Sequence, residues 1–271
     1  MARLIRRTLR YVGLLLLTLV GLAAGLFAAL PAIAGLFPVE LDRVRLSDGR
    51  REVEMQGMMH IGSPRFYDAV AELVAARRRE GWLVFYEGVR SDTADPQSAM
   101  AEIMARLGAD IVPVEGEHPY LTLATFVGAE LELQDNARLL GPPGPELRNV
   151  DVTMSALLAE LPPAEPDGPA APVSLAELRD AFADMPGWLQ ARLRAAARLG
   201  LGAAASGRFD AALPEAITAR REALVADAVL AEPGRSVLIL YGQVHLDPIR
   251  RRLEAADPAW RVTAESTVAP L

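Results

Sequence analysis

Apolar positions dominate the start of the chain, where no charged residue interrupts the run from Tyr11 to Val39. Its Leu-rich core, Val12 to Leu30, has close to the ~20 residues needed to span ~30 Å of hydrocarbon. The run also lacks the polar face expected of a helix that packs on a soluble core. The pattern therefore predicts a transmembrane signal-anchor over residues 11–38.

Charges on either side of this run predict its orientation. Four arginines precede it, and Glu40 and Asp42 follow it. The positive-inside rule then predicts a cytoplasmic basic segment at residues 1–10 and a main domain outside, in a single-pass protein of the inner (cytoplasmic) membrane with a periplasmic or extracytoplasmic domain. The alternative is a cleaved signal peptide, since Ala32-Ile33-Ala34 forms an A-x-A site. The run exceeds the ~7–15 apolar residues of a signal-peptide core, which favours the uncleaved anchor.

Short apolar runs alternate with helical patterns after a predicted linker at residues 39–50, which ends in the turn Ser47-Asp48-Gly49. The predicted strands are Val53–Met59, Trp82–Tyr86, Ile111–Val114 and Ser236–Tyr241. The predicted helices are Arg65–Glu80, Pro96–Leu107 and Asp247–Ala256. This alternation is typical of parallel strands joined by crossover helices. We therefore predict an α/β fold with a central, largely parallel β-sheet flanked by helices.

The middle of the chain departs from this alternation. Residues 141–145 read Gly-Pro-Pro-Gly-Pro, and residues 161–173 are rich in Pro and Ala. We interpret residues 141–213 as a helical and loop insertion within an α/β domain of residues 51–271. Ser174-Leu175-Ala176-Glu177 fits a capping box that starts a helix there. A packed helical subdomain is favoured over a lid or a membrane contact.

Composition narrows the possible chemistry. The formal net charge is −7 although the first thirty residues carry four arginines and no acid, so the remainder is strongly acidic. An acidic body argues against nucleic-acid binding. The chain has no cysteine and no lysine. Disulfides, zinc-thiolate sites and Schiff-base chemistry are therefore excluded, and any metal would need nitrogen and oxygen ligands.

Two of the three histidines end the same short motif. Gly57-Met58-Met59-His60 and Gly242-Gln243-Val244-His245 each follow an apolar strand and precede a predicted helix. Ligands bind at the carboxyl ends of parallel strands, so two such turns would bring both imidazoles to one edge of the sheet. We therefore predict that His60 and His245 belong to one site.

Carboxylates follow two neighbouring strands in a similar way. Glu87 ends Phe85-Tyr86-Glu87, and Glu115 follows Val114, with His118 three residues later. Carboxylate and imidazole groups together bind a divalent metal, or orient and deprotonate water, and spacing does not decide between these roles. His118 lies beside Pro119 in a polar loop and is interpreted as a surface residue. No G-x-S-x-G elbow is present, which argues against a serine hydrolase.

These features resemble a known family. The paired GxxH motifs, the early glutamate and an Arg-rich helix before the second motif are similar to the TraB/PrgY/GumN and Tiki proteins, relatives of erythromycin esterase and the ChaN haem-binding lipoproteins. The resemblance runs from about residue 53 to 256 and is weaker in the middle. Arg221 is similar to the arginine that opens the family's R-N-x-x-M-A helix, but Glu222 and Val225 replace its asparagine and methionine.

The resemblance implies a metal-dependent hydrolase of a peptide or small ester, using Mn, Co, Zn or Fe. Glu87 would be a metal ligand or general base, and Arg221 would stabilise developing negative charge. The implied metal ligands are His60, His245, Glu87 and Glu115. The alternatives are a non-catalytic peptide- or haem-binding protein of the same fold and a structural membrane protein that contacts partners. A closed polar pocket would favour catalysis, and an open apolar groove would favour binding.

Overall fold

A six-stranded β-sheet lies at the centre of this mixed α/β protein. The computed structural model describes residues 2–106, 111–112, 124–128, 130–163, 173–205 and 215–271, without the side chains of residues 2–17, 19, 104, 111–112, 173–175, 205 and 215–216. Listed in their order across the sheet, the strands are β10 (Arg261–Val268), β1 (Leu41–Ser47), β2 (Glu52–Met58), β9 (Val237–Gly242), β4 (Leu83–Tyr86) and β7 (Leu147–Asn149).

The sheet is mixed rather than largely parallel. β2, β9, β4 and β7 run parallel to one another, whereas β1 is antiparallel to both β2 and β10. The predicted fold class, a largely parallel sheet preceded by a transmembrane helix, is therefore wrong. The strand β1 occupies most of the predicted linker. The turn at residues 47–49 joins β1 to β2, and two strands joined by so short a turn are antiparallel. Gly49 adopts φ 86° in this turn.

Two short sheets lie outside the central one. β3 (Ile61–Gly62) pairs with β6 (Glu132–Leu133) in antiparallel orientation. β5 (Ile111–Val112) pairs with β8 (Val173–Ser174) in parallel orientation. The strand predicted from residue 111 therefore forms, but within the described residues it does not join the central sheet.

Helices cover both faces of the central sheet. In the described ranges they are α1 (Ala2–Leu36), α2 (Pro64–Arg79), α3 (Pro96–Arg106), α4 (Asn136–Leu140), α5 (Met154–Glu160), α6 (Leu175–Ala183), α7 (Gly187–Ala205), α8 (Glu215–Leu230) and α9 (Leu246–Ala256). Leu238 and Leu240 of β9 pack with α2, while Ile239 and Tyr241 face the core shared with α8 and α9. Burial on both faces explains the unbroken apolar run of this strand.

The amino-terminal helix overturns the membrane prediction. None of the helices in the described ranges combines the length and the apolar character that crossing a bilayer requires. Part of α1 packs on α7, where the Arg192 guanidinium carbon lies 5.7 Å from the centroid of the Phe27 ring. The helix therefore makes protein contacts along part of its length. The signal-anchor over residues 11–38 and the inner-membrane location are therefore contradicted.

The predicted insertion at residues 141–213 includes part of the central sheet. β7 lies within it and forms the sheet edge beside β4. The Gly- and Pro-rich loop at residues 141–145 therefore leads directly into a sheet strand. The remaining described part contains α5, α6 and α7.

The two GxxH motifs contact each other at Gly57, the first residue of the first motif. Gln243 extends across Gly57 to Asp42, where its Oε1 accepts the Asp42 backbone N–H at 2.8 Å and its Nε2 donates to the Asp42 carboxylate. A Cβ on Gly57 would lie 2.0 Å from Gln243 Oε1 and 3.2 Å from the Asp42 carbonyl oxygen. Glycine in the first motif therefore makes room for the side chain of the second.

We expect Gly57→Ala to lower the free energy of unfolding by about 1–3 kcal/mol, because the new methyl displaces Gln243. Adding Gln243→Ala should recover part of this loss, giving a non-additive double-mutant cycle in urea unfolding. Gly234→Ala is the control, since nothing lies within 4 Å of its added Cβ. Strictly additive effects would show that the two motifs do not meet at this glycine.

Candidate functional site

The two GxxH motifs end neighbouring parallel strands. In the register of β2 and β9, Gly57 lies opposite Tyr241 and Met58 opposite Gly242. His60 follows β2 directly, and His245 ends a 3₁₀ turn, Gln243–His245, between β9 and α9. Both histidines line one cavity of about 650 Å³ at this sheet edge, together with Glu87 and Arg221. The structure thus brings four of the sequence-derived candidates together.

Both oxygens of Glu87 are held. Oε1 accepts a hydrogen bond from Arg221 Nη2 at 2.6 Å, and Oε2 accepts the backbone N–H of Gly242. A Cβ at Gly242 would lie 3.1 Å from Glu87 Oε2, closer than most Cβ atoms approach a neighbour, so glycine here permits the close approach. The glycine of the second motif therefore binds the glutamate that follows β4.

Arg221 bridges Glu87 to a second carboxylate, Asp151, which the sequence analysis did not identify. Asp151 is 1% exposed and accepts from Arg221 Nε and Nη2, both at 2.8 Å. It also accepts the backbone N–H groups of Gly88 at 3.0 Å and Val152 at 2.7 Å. Burial alone would lower the pKa of Arg221, but the bonds to Asp151 and the charge of Glu87 outweigh it and raise that pKa.

Tyr241, a core residue of β9, contacts both Asp151 and Arg221. Its hydroxyl donates to the Val150 carbonyl at 3.0 Å and lies 3.2 Å from Asp151 Oδ1. The Arg221 guanidinium carbon is 5.6 Å from the centroid of its ring. Burial, followed by the negative charge of Asp151, raises the pKa of Tyr241. Tyr241 thus packs and hydrogen-bonds as a neutral phenol.

His245 is paired with Glu222. The imidazole is 3% exposed, and its Nδ1 lies 3.2 Å from Glu222 Oε1. A neutral imidazole that donates its Nδ1–H to this carboxylate keeps a lone pair on Nε2. Glu222 occupies the position at which the TraB/Tiki pattern has asparagine. This departure from the pattern therefore supplies the partner of the second motif's histidine.

His60 differs from His245 in its surroundings, because it is exposed at the cavity. Its backbone carbonyl accepts the Gln134 N–H at 3.0 Å, and the Met59 carbonyl accepts the Tyr67 hydroxyl at 2.9 Å. These bonds and the pairing of β3 with β6 fix the backbone after the first motif.

The metal-binding prediction is contradicted. Within the described residues, no three His, Cys, Asp or Glu side chains are grouped so that they could hold a metal ion. The physical reason lies in Glu87, because both oxygens of this predicted ligand already accept hydrogen bonds, one from Arg221 and one from Gly242. Glu115 and His118 lie outside the described residues.

The opposite wall of the cavity is apolar. Phe126 and Val127 line it together with Ala197, Leu201 and Ala204 of α7. Arg198 connects α7 to the segment that carries Phe126 and Val127, because its Nε donates to the Val127 carbonyl at 2.9 Å. We call this apolar wall, defined by Phe126, Val127, Ala197, Leu201 and Ala204, the roof. The wall formed by Glu87, Arg221 and His245 is called the floor.

No family model, curated protein or solved structure matches the chain. The resemblance to the TraB/Tiki proteins stays a prediction that rests on the two motifs, Glu87 and Arg221.

Asp151 and Glu222 could have been suspected from local patterns. Asp151 lies two residues after a short strand, but the Pro-rich sequence before that strand is typical of a loop. Glu222 is adjacent to Arg221 and seemed only a departure from the family pattern. Each became recognisable as part of the site only when the strand order and the packing of α8 were known.

We expect Asp151→Asn to lower the free energy of unfolding by about 3 kcal/mol or more, because it leaves the Arg221 charge in a buried site without its bidentate partner. The neighbouring Arg220→Ala is the matched control. Arg220 is half exposed and pairs with Glu160 at the surface, so its loss should cost about 0–1 kcal/mol. Equal effects in urea unfolding would contradict the assigned role of the buried network.

Alkaline titration tests the neutral state of Tyr241. The pKa of Tyr241 is raised in the folded protein, so its neutral phenol stabilises the fold fully below the ordinary tyrosine pKa. This contribution to the free energy of unfolding is lost as the pH rises through the folded-state pKa. Tyrosinate absorbance of the wild type and of Tyr241→Phe should therefore coincide up to the pH at which the protein unfolds. A phenol that titrates in the folded wild type but not in the variant would show that Tyr241 is accessible and ionises.

Proposed function

We propose that this chain is a hydrolase of a peptide or small ester bond. In this proposal His245 acts as the general base, and no metal ion activates the water. The observation that carries the proposal is the His245–Glu222 pair at the floor of the cavity. A carboxylate that fixes Nδ1–H leaves Nε2 as the proton acceptor, and imidazole is the commonest general base in enzymes. The resemblance to hydrolases of the TraB/Tiki type supports the same reaction class.

In the proposed reaction, Nε2 of His245 takes a proton from water as the water oxygen bonds to the substrate carbonyl carbon. The carbonyl π electrons move to the carbonyl oxygen and then return as the bond to the leaving nitrogen or oxygen breaks. The leaving group takes the proton from Nε2, which restores the neutral imidazole. Glu222 holds the ring in one tautomer and pairs with the imidazolium that forms in between.

Glu87 and Arg221 act as positioning residues in this proposal. Arg221 is already bound by two carboxylates, so little of its charge is left to stabilise an oxyanion. Glu87 fixes the Gly242 N–H at the start of the turn that carries His245. The ion network therefore holds the general base in place without taking the proton itself.

We expect His245→Gln to lower kcat/KM by about 10²–10⁴-fold, because the general base is lost. Glu222→Gln should lower it less, since Nε2 is still present but its tautomer is no longer fixed. Rates would be measured with short peptides and p-nitrophenyl esters, with Arg220→Ala as the control. Dialysis against EDTA should leave the wild-type rate unchanged.

Two results would contradict this assignment. If His245→Gln retained wild-type activity, the base would lie elsewhere. If chelation abolished the activity and metal restored it, water activation would not be metal-free.

A non-catalytic binding protein is the second candidate, and the apolar roof favours it. Much of the cavity lining offers contact area but no reactive group. Such a protein would bind a peptide or an apolar ligand at the same floor and roof without turnover. Saturable ligand binding with no hydrolysis above the His245→Gln background would favour this candidate.

A further inference from the structure

The two walls of the cavity differ in chemistry, and this difference bears on the class of ligand. At the floor, the single guanidinium of Arg221 pairs with Glu87 and, beneath it, with the buried Asp151, so this ion network has more carboxylates than cations. The roof is apolar throughout. A ligand that matches both walls has an uncharged polar group at the floor and an aliphatic portion under the roof.

The roof owes its shape to small residues on one stripe of α7. Ala197, Leu201 and Ala204 are spaced i, i+4, i+7 and therefore lie on one face of the helix. This stripe extends for about 10 Å along the helix axis. That distance is comparable with an extended chain of about eight carbon–carbon bonds. The two alanines leave the space that larger side chains would fill.

The roof is also braced, so its shape is maintained. Phe126 packs edge-on against Phe182 of α6, with ring centroids 5.0 Å apart. Arg198 of α7 donates to the carbonyls of Val127 and Gly128 at 2.9 and 3.0 Å. α7 is supported from behind by α1. The part of the cavity along this stripe, called the slot below, therefore presents a preorganised apolar contact to a ligand.

We infer that the cavity binds an unbranched aliphatic or acyl chain of about eight carbons with an uncharged head group, and that Ala197 and Ala204 set the accepted length. For turnover this rests on the proposed function, which would make the substrate a medium-chain ester or amide. The binding part does not depend on catalysis.

The test uses the full chain and a neutral fluorescent probe, N-phenyl-1-naphthylamine, displaced by straight-chain alcohols from butanol to dodecanol. The inhibition constant should fall about four-fold per added methylene and level off near octanol, because each buried methylene adds a similar transfer free energy until the slot is full. Octanoate should bind more weakly than octanol because its charge meets the acidic floor.

Variants of α7 make the assignment specific. Ala197→Phe and Ala204→Phe should weaken octanol binding at least ten-fold and move the plateau to shorter alcohols. Leu201→Ala should move the plateau to longer alcohols. Misfolding would not produce this improved binding of longer chains. Ala196→Phe, on the exposed side of the same helix, is the matched control and should bind as the wild type does.

The outcomes separate this inference from the proposed function. Alcohol affinity that is independent of chain length, or unchanged in Ala197→Phe and Ala204→Phe, overturns the inference even if esters are hydrolysed. The expected length dependence in the wild type, altered in Ala197→Phe and Ala204→Phe but not in Ala196→Phe, supports it even if no ester is hydrolysed, and in that case the hydrolase proposal fails alone. A matching chain-length profile for p-nitrophenyl ester hydrolysis would support both.

Discussion

The buried bridge from Asp151 through Arg221 to Glu87 is the interaction on which the site depends. It joins α8 to the ends of β4 and β7, and the Glu87 carboxylate extends it to the start of the turn after β9. Three neighbouring parallel strands and a helix are thus fixed relative to one another at the sheet edge that lines the cavity. Charges in such a place are costly unless each has a partner, so the arrangement tolerates little displacement.

This bridge also explains why the second motif has its particular residues. Gly242 gives its N–H to Glu87 and has no side chain to obstruct it, and Gln243 reaches over Gly57 to Asp42. His245 then meets Glu222, which lies next to Arg221 on α8. One helix therefore supplies both the guanidinium that organises the edge and the carboxylate that orients the imidazole.

Local periodicity predicted β2, β4 and β9, because each is a largely buried run with a glycine and a polar residue of the site at or just after its end. It did not predict β1 or β10, whose polar, partly exposed sequences resemble a linker and a tail. Nor could it recognise β7, since a three-residue strand after a Pro-rich loop carries almost no periodic signal. Asp151 was missed for the same reason. Long apolar runs suggest a membrane span, but they do not reveal that another helix of the chain, here α7, packs on them.

The central claim is that Glu222 holds His245 in the tautomer that leaves Nε2 free as a base, and ring ¹⁵N chemical shifts of His245 test it most directly. The account predicts a protonated Nδ1 and an unprotonated Nε2 in the neutral imidazole of the wild type, with this preference lost in Glu222→Gln. A neutral wild-type ring that carries its proton on Nε2 would contradict the account, because the ring's lone pair would then be on Nδ1, against Glu222.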